Sequence, residues 1–536
     1  MANALSNAAG SIQFDADVLV IGGGPAGSWA ACSAASAGAR VILVDKGYCG
    51  SSGATAPSGT GVWYVQPDAA KREAAMASRD ALGGFLADRS WMRRVLDRTY
   101  DNVNLLAEWG YPFPSDETGQ ERRTNLKGPE YMRLMRRRVR EAGVKILDHS
   151  PALELLVDEN GAVAGAMGVR RQEGENWVVR APAVVIATGG CAFLSKALGC
   201  NVLTGDGHLM AAEAGADLSG MEFSNAYAIS PASASVTKTL FYNWASFTDE
   251  DGHPIPGASG HHRSVIAKAL LKHKVYGQID RADPGTQAAM RLAQPNFFLP
   301  FDRAGHDPFT QRFQVILRLE GTVRGTGGLR ITDNSCATSV PGLYAAGDAA
   351  TRELICGGFT GGGSHNAAWA MSSGFWAGAG AADHARHRGT RAQPRQVTRA
   401  GGVALTQGPN RPFDPERATR AVQDEVFPYD KNYFRHGAVL GESLTRLDGL
   451  WHKLRIADAA APENVVKARE AAAMVATARW MFRSALARAE TRGMHKREDY
   501  PNQDAGQRHY LTSGGLDEVW TSTRLAPARD DVEVAA

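Results

Sequence analysis

Residues 17–45 constrain this chain more than any other stretch. A largely apolar run, 17–21, enters Gly22-Gly23-Gly24-Pro25-Ala26-Gly27. Small residues follow at helical length up to Gly38, and a second apolar run, 41–44, ends at Asp45. Strand, glycine turn, helix, strand and acid in that order make a dinucleotide-binding βαβ unit. Gly22 permits the tight turn, Gly24 lets backbone approach a pyrophosphate, and Gly27 lets helix and strand pack closely. The free N–H groups at the helix start favour phosphate, and Asp45 stands where a carboxylate meets a ribose hydroxyl.

At 536 residues the chain exceeds one ordinary core, so several domains are expected. A formal net charge of +3 argues against nucleic acid as a partner. None of the six cysteines forms a CxxC pair, so no metal or iron–sulfur site is expected within the chain, and the thiols read as reduced. No apolar run approaches the length of a membrane span, and residues 1–16 lack a leader pattern, so a cytoplasmic protein is expected. An oligomer is compatible with all of this.

Three further segments choose the dinucleotide. Residues 183–188 form an apolar strand that closes on Thr188-Gly189-Gly190. Gly205-Asp206-Gly207 opens a helix-like stretch, and a short strand at 343–346 ends in Gly347-Asp348. Strand ends spread so far along the chain suit an extended FAD crossing a large domain.

Seven segments together resemble one family. They are DVLVIGGGPAG (17–27), SSGATAPSGTG (51–61), VVIATGG (184–190), GDGHLMAAEAGA (205–216), VPGLYAAGD (340–348), GGGSHNAAWA (361–370) and ETRGMHKREDYP (490–501). In this order they are similar to the flavoproteins of fumarate reductase, succinate dehydrogenase, L-aspartate oxidase and adenylylsulfate reductase. The resemblance implies an α/β fold: a Rossmann-like FAD-binding domain interrupted by an α+β capping domain, with a C-terminal helical domain. It implies an FAD site of Gly22, Gly24, Pro25, Ala26, Gly27, Asp45, Lys46, Ser51, Ser52, Gly53, Thr55, Gly59, Thr188, Gly189, Gly190, Asp206, Gly347 and Asp348. Ser364, His365 and Asn366 would aim a helix N-terminus at the pyrimidine edge of the flavin. Family members that bind FAD covalently use a His near residues 50–59; this chain has none there, so non-covalent FAD is expected.

The resemblance also shows what is missing. Where dicarboxylate-handling members place gripping residues, this chain has Val323, Thr360 and Tyr227. A carboxylate in a dry site needs charged or bidentate donors, so succinate and fumarate are not expected as substrates. Arg263 partly matches the frame of the family's catalytic Arg. It is expected to be proton donor or anion clamp, with His365 and Tyr227 on the pocket wall and Arg324 as an alternative grip. His261 and His262 read as an exposed loop pair. Trp63 and Tyr64, and Phe241, Tyr242, Trp244 and Phe247 in the cap, suit either an aromatic pocket or a core. The arginines at 133, 136, 137, 138 and 140 read as a solvated helix face, or as a dock for an acidic redox partner.

The expected boundaries are an FAD-binding domain at 1–221 and 326–387, a cap at 222–325, a linker at 388–414 and a helical domain at 415–536. Arg492, His495, Arg497 and Tyr500 in the last are expected as interface and pocket-wall residues. The leading expectation is hydride exchange between flavin N5 and a small organic substrate, with electrons passing to or from a separate acceptor. Two alternatives stay open: an adenylylsulfate-reductase-like subunit working with an iron–sulfur or ferredoxin-like partner, and a flavin electron-transfer protein without its own substrate.

Overall fold

A computed structural model describes residues 11–115, 118–237, 239–259, 263–359, 364–388, 396–405, 413–457 and 462–527. At its centre lies a five-stranded parallel sheet, ordered Leu343–Ala345, Ala183–Ile186, Val18–Ile21, Val41–Val44, Lys145–Leu147. The three middle strands are buried along their whole length, which is why they read as continuous apolar runs rather than alternating ones.

Helix Pro25–Ser36 leaves the central strand and packs against the long helix His365–Arg388. The contact is close because glycines face it: a Cβ on Gly374 or Gly378 would overlap the carbonyl oxygens of Ala26 and Ala30. Spaced four apart, these glycines lie on one helix face. The crossing brings the starts of both helices to the same end of the sheet.

A second sheet, ordered Ile12–Asp15, Glu175–Arg180, Val163–Arg170, Ala152–Val157, Thr398–Arg399, lies beside the first. Its last strand comes from the stretch expected as linker. The cap is a four-stranded antiparallel sheet, Ala226–Pro231, Phe313–Gly321, Val275–Gln278, Ser246–Thr248, with helices Arg263–Leu270, Pro284–Ala293 and Pro295–Arg303. Phe297, Phe298, Phe301, Phe309 and Phe313 stack into its core.

The C-terminal part is built on helices Pro415–Val426, Gly437–Arg455 and Val465–Ala487. It adds a hairpin that the sequence reading does not anticipate. His509–Gly514 pairs with Trp520–Leu525 and also with Leu218–Ser219, ahead of the cap. The cap is tied to these helices. Tyr429 Oη accepts from Leu317 N and donates to Leu317 O, and Ser264 Oγ meets Tyr433 Oη at 3.0 Å.

Candidate functional site

The carboxyl ends of four sheet strands open on one cavity of about 900 Å³, where ligands bind in open α/β sheets. Of the residues expected around the cofactor, all but Gly27, Ser51, Gly190 and His365 stand on its wall. Gly22 has a φ of 110°, and a Cβ there would overlap the carbonyl oxygen of Ala187. A Cβ on Gly27 would overlap the carbonyl oxygen of Gly22, so Gly27 serves helix–strand packing. At Gly24 a Cβ would meet nothing within 4 Å, and this residue caps its helix without a side-chain bond. Open space in front of unpaired helix N–H groups fits a pyrophosphate. Asn366 is a second sign of fit. It stands on the wall, its Nδ2 donates to Val323 O at 3.2 Å, and its buried Oδ1 has no partner among the described residues.

Asp45 is busier than its motif suggests. Its carboxylate accepts from Gly23 N at 2.6 Å, Gly47 N at 2.8 Å and Ser52 Oγ at 2.7 Å. Of about four lone-pair sites on a carboxylate, about one is left for a ribose hydroxyl. Ser51 is exposed, whereas Ser52 is on the wall. Lys46 Nζ lies 2.6 Å from both Asp206 and Glu470 and 2.9 Å from Thr204 Oγ1. Burial alone would lower its pKa, but the two carboxylates outweigh that and raise it. Sequence reading misses Glu470, which reaches this point from helix Val465–Ala487. It also misses Arg352, whose buried guanidinium joins the Asp348 carboxylate to the carbonyl oxygens of Thr322, Val323 and Gly325. That bond set fixes the loop carrying Val323 and Arg324 against the Gly347-Asp348 turn.

The cap supplies the opposite wall, including Ile229, Thr237, Phe241, Tyr242, Arg263 and Arg324. Glu320, buried behind it, accepts from Thr237 Oγ1 at 2.7 Å and from Arg324 at 3.0 Å. Arg263, the first residue of its helix, makes no hydrogen bond or ion pair among the described residues. Burial and the neighbouring Arg324 lower its pKa to about 10, so it remains charged at neutral pH. Val323, at the position of a family His, is a buried apolar wall residue. Thr360, His261 and His262 lie outside the described residues.

Several expectations are redirected. Tyr227 is not on the cavity wall: its hydroxyl donates to the carbonyl oxygens of Val426 at 2.7 Å and Phe427 at 3.2 Å, and its ring packs on Tyr429 and Tyr433. His365 lies behind the wall with its ring 4.7 Å from that of Trp63, and neither ring nitrogen has a partner among the described residues. Burial, with Arg79 and Arg352, lowers its pKa to about 3, so it is neutral. Trp63 and Tyr64 are also off the wall; Tyr64 stacks on Tyr100 and donates to Asn104 at 3.0 Å. Of the cap aromatics, Phe241 and Tyr242 reach the cavity, Phe247 is buried away from it, and Trp244 is partly exposed. Arg492, His495 and Arg497 are buried in the C-terminal segment, and neither they nor Tyr500 line the cavity. In the basic run, Arg136 pairs with Asp148, and Arg137 and Arg138 reach Glu141.

Two family models match the chain: an FAD binding domain over residues 17–235 and the fumarate reductase flavoprotein C-terminal domain over residues 426–534. The L-aspartate oxidase of Streptomyces coelicolor is 29% identical over 535 residues, covering 91% of this chain and 89% of that protein. Among solved structures, E. coli quinol fumarate reductase FrdA gives a TM-score of 0.82 at 20% identity, covering 97% of this chain and 98% of that one. Adenylylsulfate reductase from Archaeoglobus fulgidus gives 0.77 at 18%, covering 100% and 99%. At such identities the two structures speak for the fold. Fold, glycine turns and matched domains define a flavoprotein whose cofactor is FAD. The chain is an FAD-dependent oxidoreductase that carries both matched domains and is similar to fumarate reductase flavoproteins and L-aspartate oxidase. No helix among the described residues is long and apolar enough to cross a membrane.

Proposed function

We propose that the cavity takes a small anionic organic substrate between the cap and bound FAD, with Arg263 as its clamp. The observation that carries this reading is the Arg263 guanidinium, which is charged, recessed in the wall and without a partner among the described residues. A recessed charge of that kind is stabilised by a ligand of opposite sign. FAD, when bound, supplies hydride exchange at its N5.

The substrate is not a dicarboxylate. Val323 offers no donor, and the Tyr227 hydroxyl is bound elsewhere. Arg324, held by Glu320, is the second cation on the cap side of the described wall and supports one anionic group rather than two separate ones. A pKa lowered by burial and by Arg324 also makes Arg263 a better proton donor than an exposed arginine.

FAD is held without a covalent bond. Cys49, the thiol nearest the glycine turn, is buried, and its pKa is pushed up to about 12 by burial and by Asp45, which suppresses the thiolate that attachment needs. Electrons pass to or from a separate acceptor. The internal pairing of Arg136, Arg137 and Arg138 leaves the basic run little support as a dock for an iron–sulfur partner.

The test is a titration of the FAD-loaded protein, followed by flavin absorbance, with succinate, fumarate, L-aspartate, sulfite and a panel of monocarboxylates. Monocarboxylates should perturb the spectrum and Arg263→Gln should abolish the effect. Turnover of succinate or fumarate would overturn the exclusion of dicarboxylates, and a spectral response to sulfite alone would favour the adenylylsulfate-reductase-like reading.

A further inference from the structure

We propose that Tyr242 is a specificity-determining hydrogen-bond partner of the substrate, which therefore joins its anionic group to a flat apolar body bearing a neutral acceptor such as a carbonyl. This rests on the reading that the cavity takes a substrate beside Arg263, and it names the class of that substrate.

Tyr242 belongs to the short turn Phe241–Trp244 and stands on the cavity wall. It is 2% exposed, and its hydroxyl oxygen has no hydrogen-bond partner among the described residues. Its ring is accounted for: it lies 6.2 Å from both Phe247 and Phe297, in contact with the aromatic core of the cap. A phenylalanine would fill that space equally well and would spare the fold a buried, unsatisfied donor. The hydroxyl adds nothing to the packing, so its use lies with whatever fills the cavity.

The surroundings state the chemistry of that ligand. Beside Tyr242 the cap wall carries the apolar residues Phe241, Leu240, Ile229, Ala228 and Ala293 with the polar Gln294, and Phe359 also lines the cavity. Of two nearby hydroxyl groups, Thr237 Oγ1 spends its proton on Glu320, and Thr239 Oγ1 is held as an acceptor by Phe241 N. Among the described residues the cations of the cap wall are Arg263 and Arg324, and a second anionic group set against the apolar residues would be desolvated, which is costly. A flat apolar body is not penalised there, and the hydroxyl selects among such bodies for one with an acceptor. Burial drives the Tyr242 pKa far above that of free tyrosine, so the hydroxyl stays a donor at any working pH.

The experiment uses the full chain loaded with FAD and two probes of equal charge and nearly equal shape, 4-acetylbenzoate and 4-isopropylbenzoate. Binding is read from the flavin absorbance change; Tm and retained FAD are measured alongside. The wild type is expected to bind the acetyl compound about tenfold more tightly, and Tyr242→Phe to bind the two alike. Retained FAD should be unchanged, and Tm unchanged or higher. The proposal falls if Tyr242→Phe keeps the preference, if its Tm drops while the preference persists, or if it sheds FAD. It also falls if neither acid perturbs the wild-type flavin in the millimolar range. Arg263→Gln separates this from the reading beneath it. Equal weakening of both probes supports Arg263 as the clamp. If Arg263→Gln leaves both affinities intact while Tyr242→Phe still erases the preference, the clamp fails and the role of Tyr242 stands.

Discussion

The arginines of the C-terminal segment and the arginine of the cap wall are treated in opposite ways. Arg488, fully buried, donates to Glu222 and Glu490, each at 2.9 Å, and to the carbonyl oxygens of Gln507 and His509. Arg492 donates to both oxygens of Glu490, at 2.6 and 2.9 Å, and Arg435 to Glu222 O and His495 Nδ1. Arg263 has none of this among the described residues. In the first set each guanidinium nitrogen is answered from within the chain, so the charges brace the packing of helices and hairpin. On the cap the chain leaves a guanidinium unanswered beside a cavity, an arrangement that makes sense only with a ligand in place.

The strongest way to break this contrast is to remove each arginine in turn. Arg263→Gln should lower kcat/KM by about 10³-fold, in line with loss of a charge-stabilising donor, with Tm unchanged. A fall in Tm with intact kinetics would make Arg263 another brace. Arg488→Met should do the reverse, costing about 3–5 kcal/mol of stability by leaving Glu222 and Glu490 uncompensated, while activity per folded molecule persists. Denaturant melts paired with turnover separate the two outcomes.

A third change carries the contrast to the cofactor half. Gly24→Ala meets nothing in the folded chain, so the apo-protein should melt as the wild type does. The added methyl stands where backbone should approach the pyrophosphate, and FAD should bind about tenfold or more weakly, roughly 1.4 kcal/mol. Unchanged flavin content would remove Gly24 from the cradle.

A fourth effect, confined to one pH window, belongs to a buried acid on the bracing side. Glu353 accepts from Ser219 Oγ at 2.5 Å and from Arg524 at 2.9 Å, and burial raises its pKa to about 7. The folded protein therefore keeps a proton that the unfolded chain has released. The stability this contributes is complete below the unfolded pKa of 4.5 and is lost as pH rises to about 7. The loss should be about 3 kcal/mol, and Glu353→Gln should flatten that part of the pH–stability curve. A Gln variant that follows the wild type through this window would assign the slope to another group.

What the sequence reveals follows how local each feature is. The turn from Gly22 to Gly27 and the apolar strands on either side are set by neighbours in the chain, so spacing alone announces them. Arg263 is legible because it stands in a short frame. Tyr227 is misread because its hydroxyl partners, Val426 and Phe427, are about two hundred residues away and carry no periodic signature. For the same reason the pairing of the hairpin with Leu218–Ser219, and the pairing of Lys46 with Glu470, are invisible in a linear reading. Phe241 and Phe247 look alike in sequence, and only the turn geometry of the cap sends one to the cavity and the other to the core.

The described cavity wall ends at Ala370, yet what latches it comes later: Val426 and Phe427 for Tyr227, Glu470 for Lys46. On the ribosome every described wall residue is therefore translated before these fastenings. At about 5–20 residues per second, the stretch from Ala370 to Glu470 takes roughly 5–20 s to emerge. During that interval the residues that wall the cofactor cavity exist without the residues that fasten them.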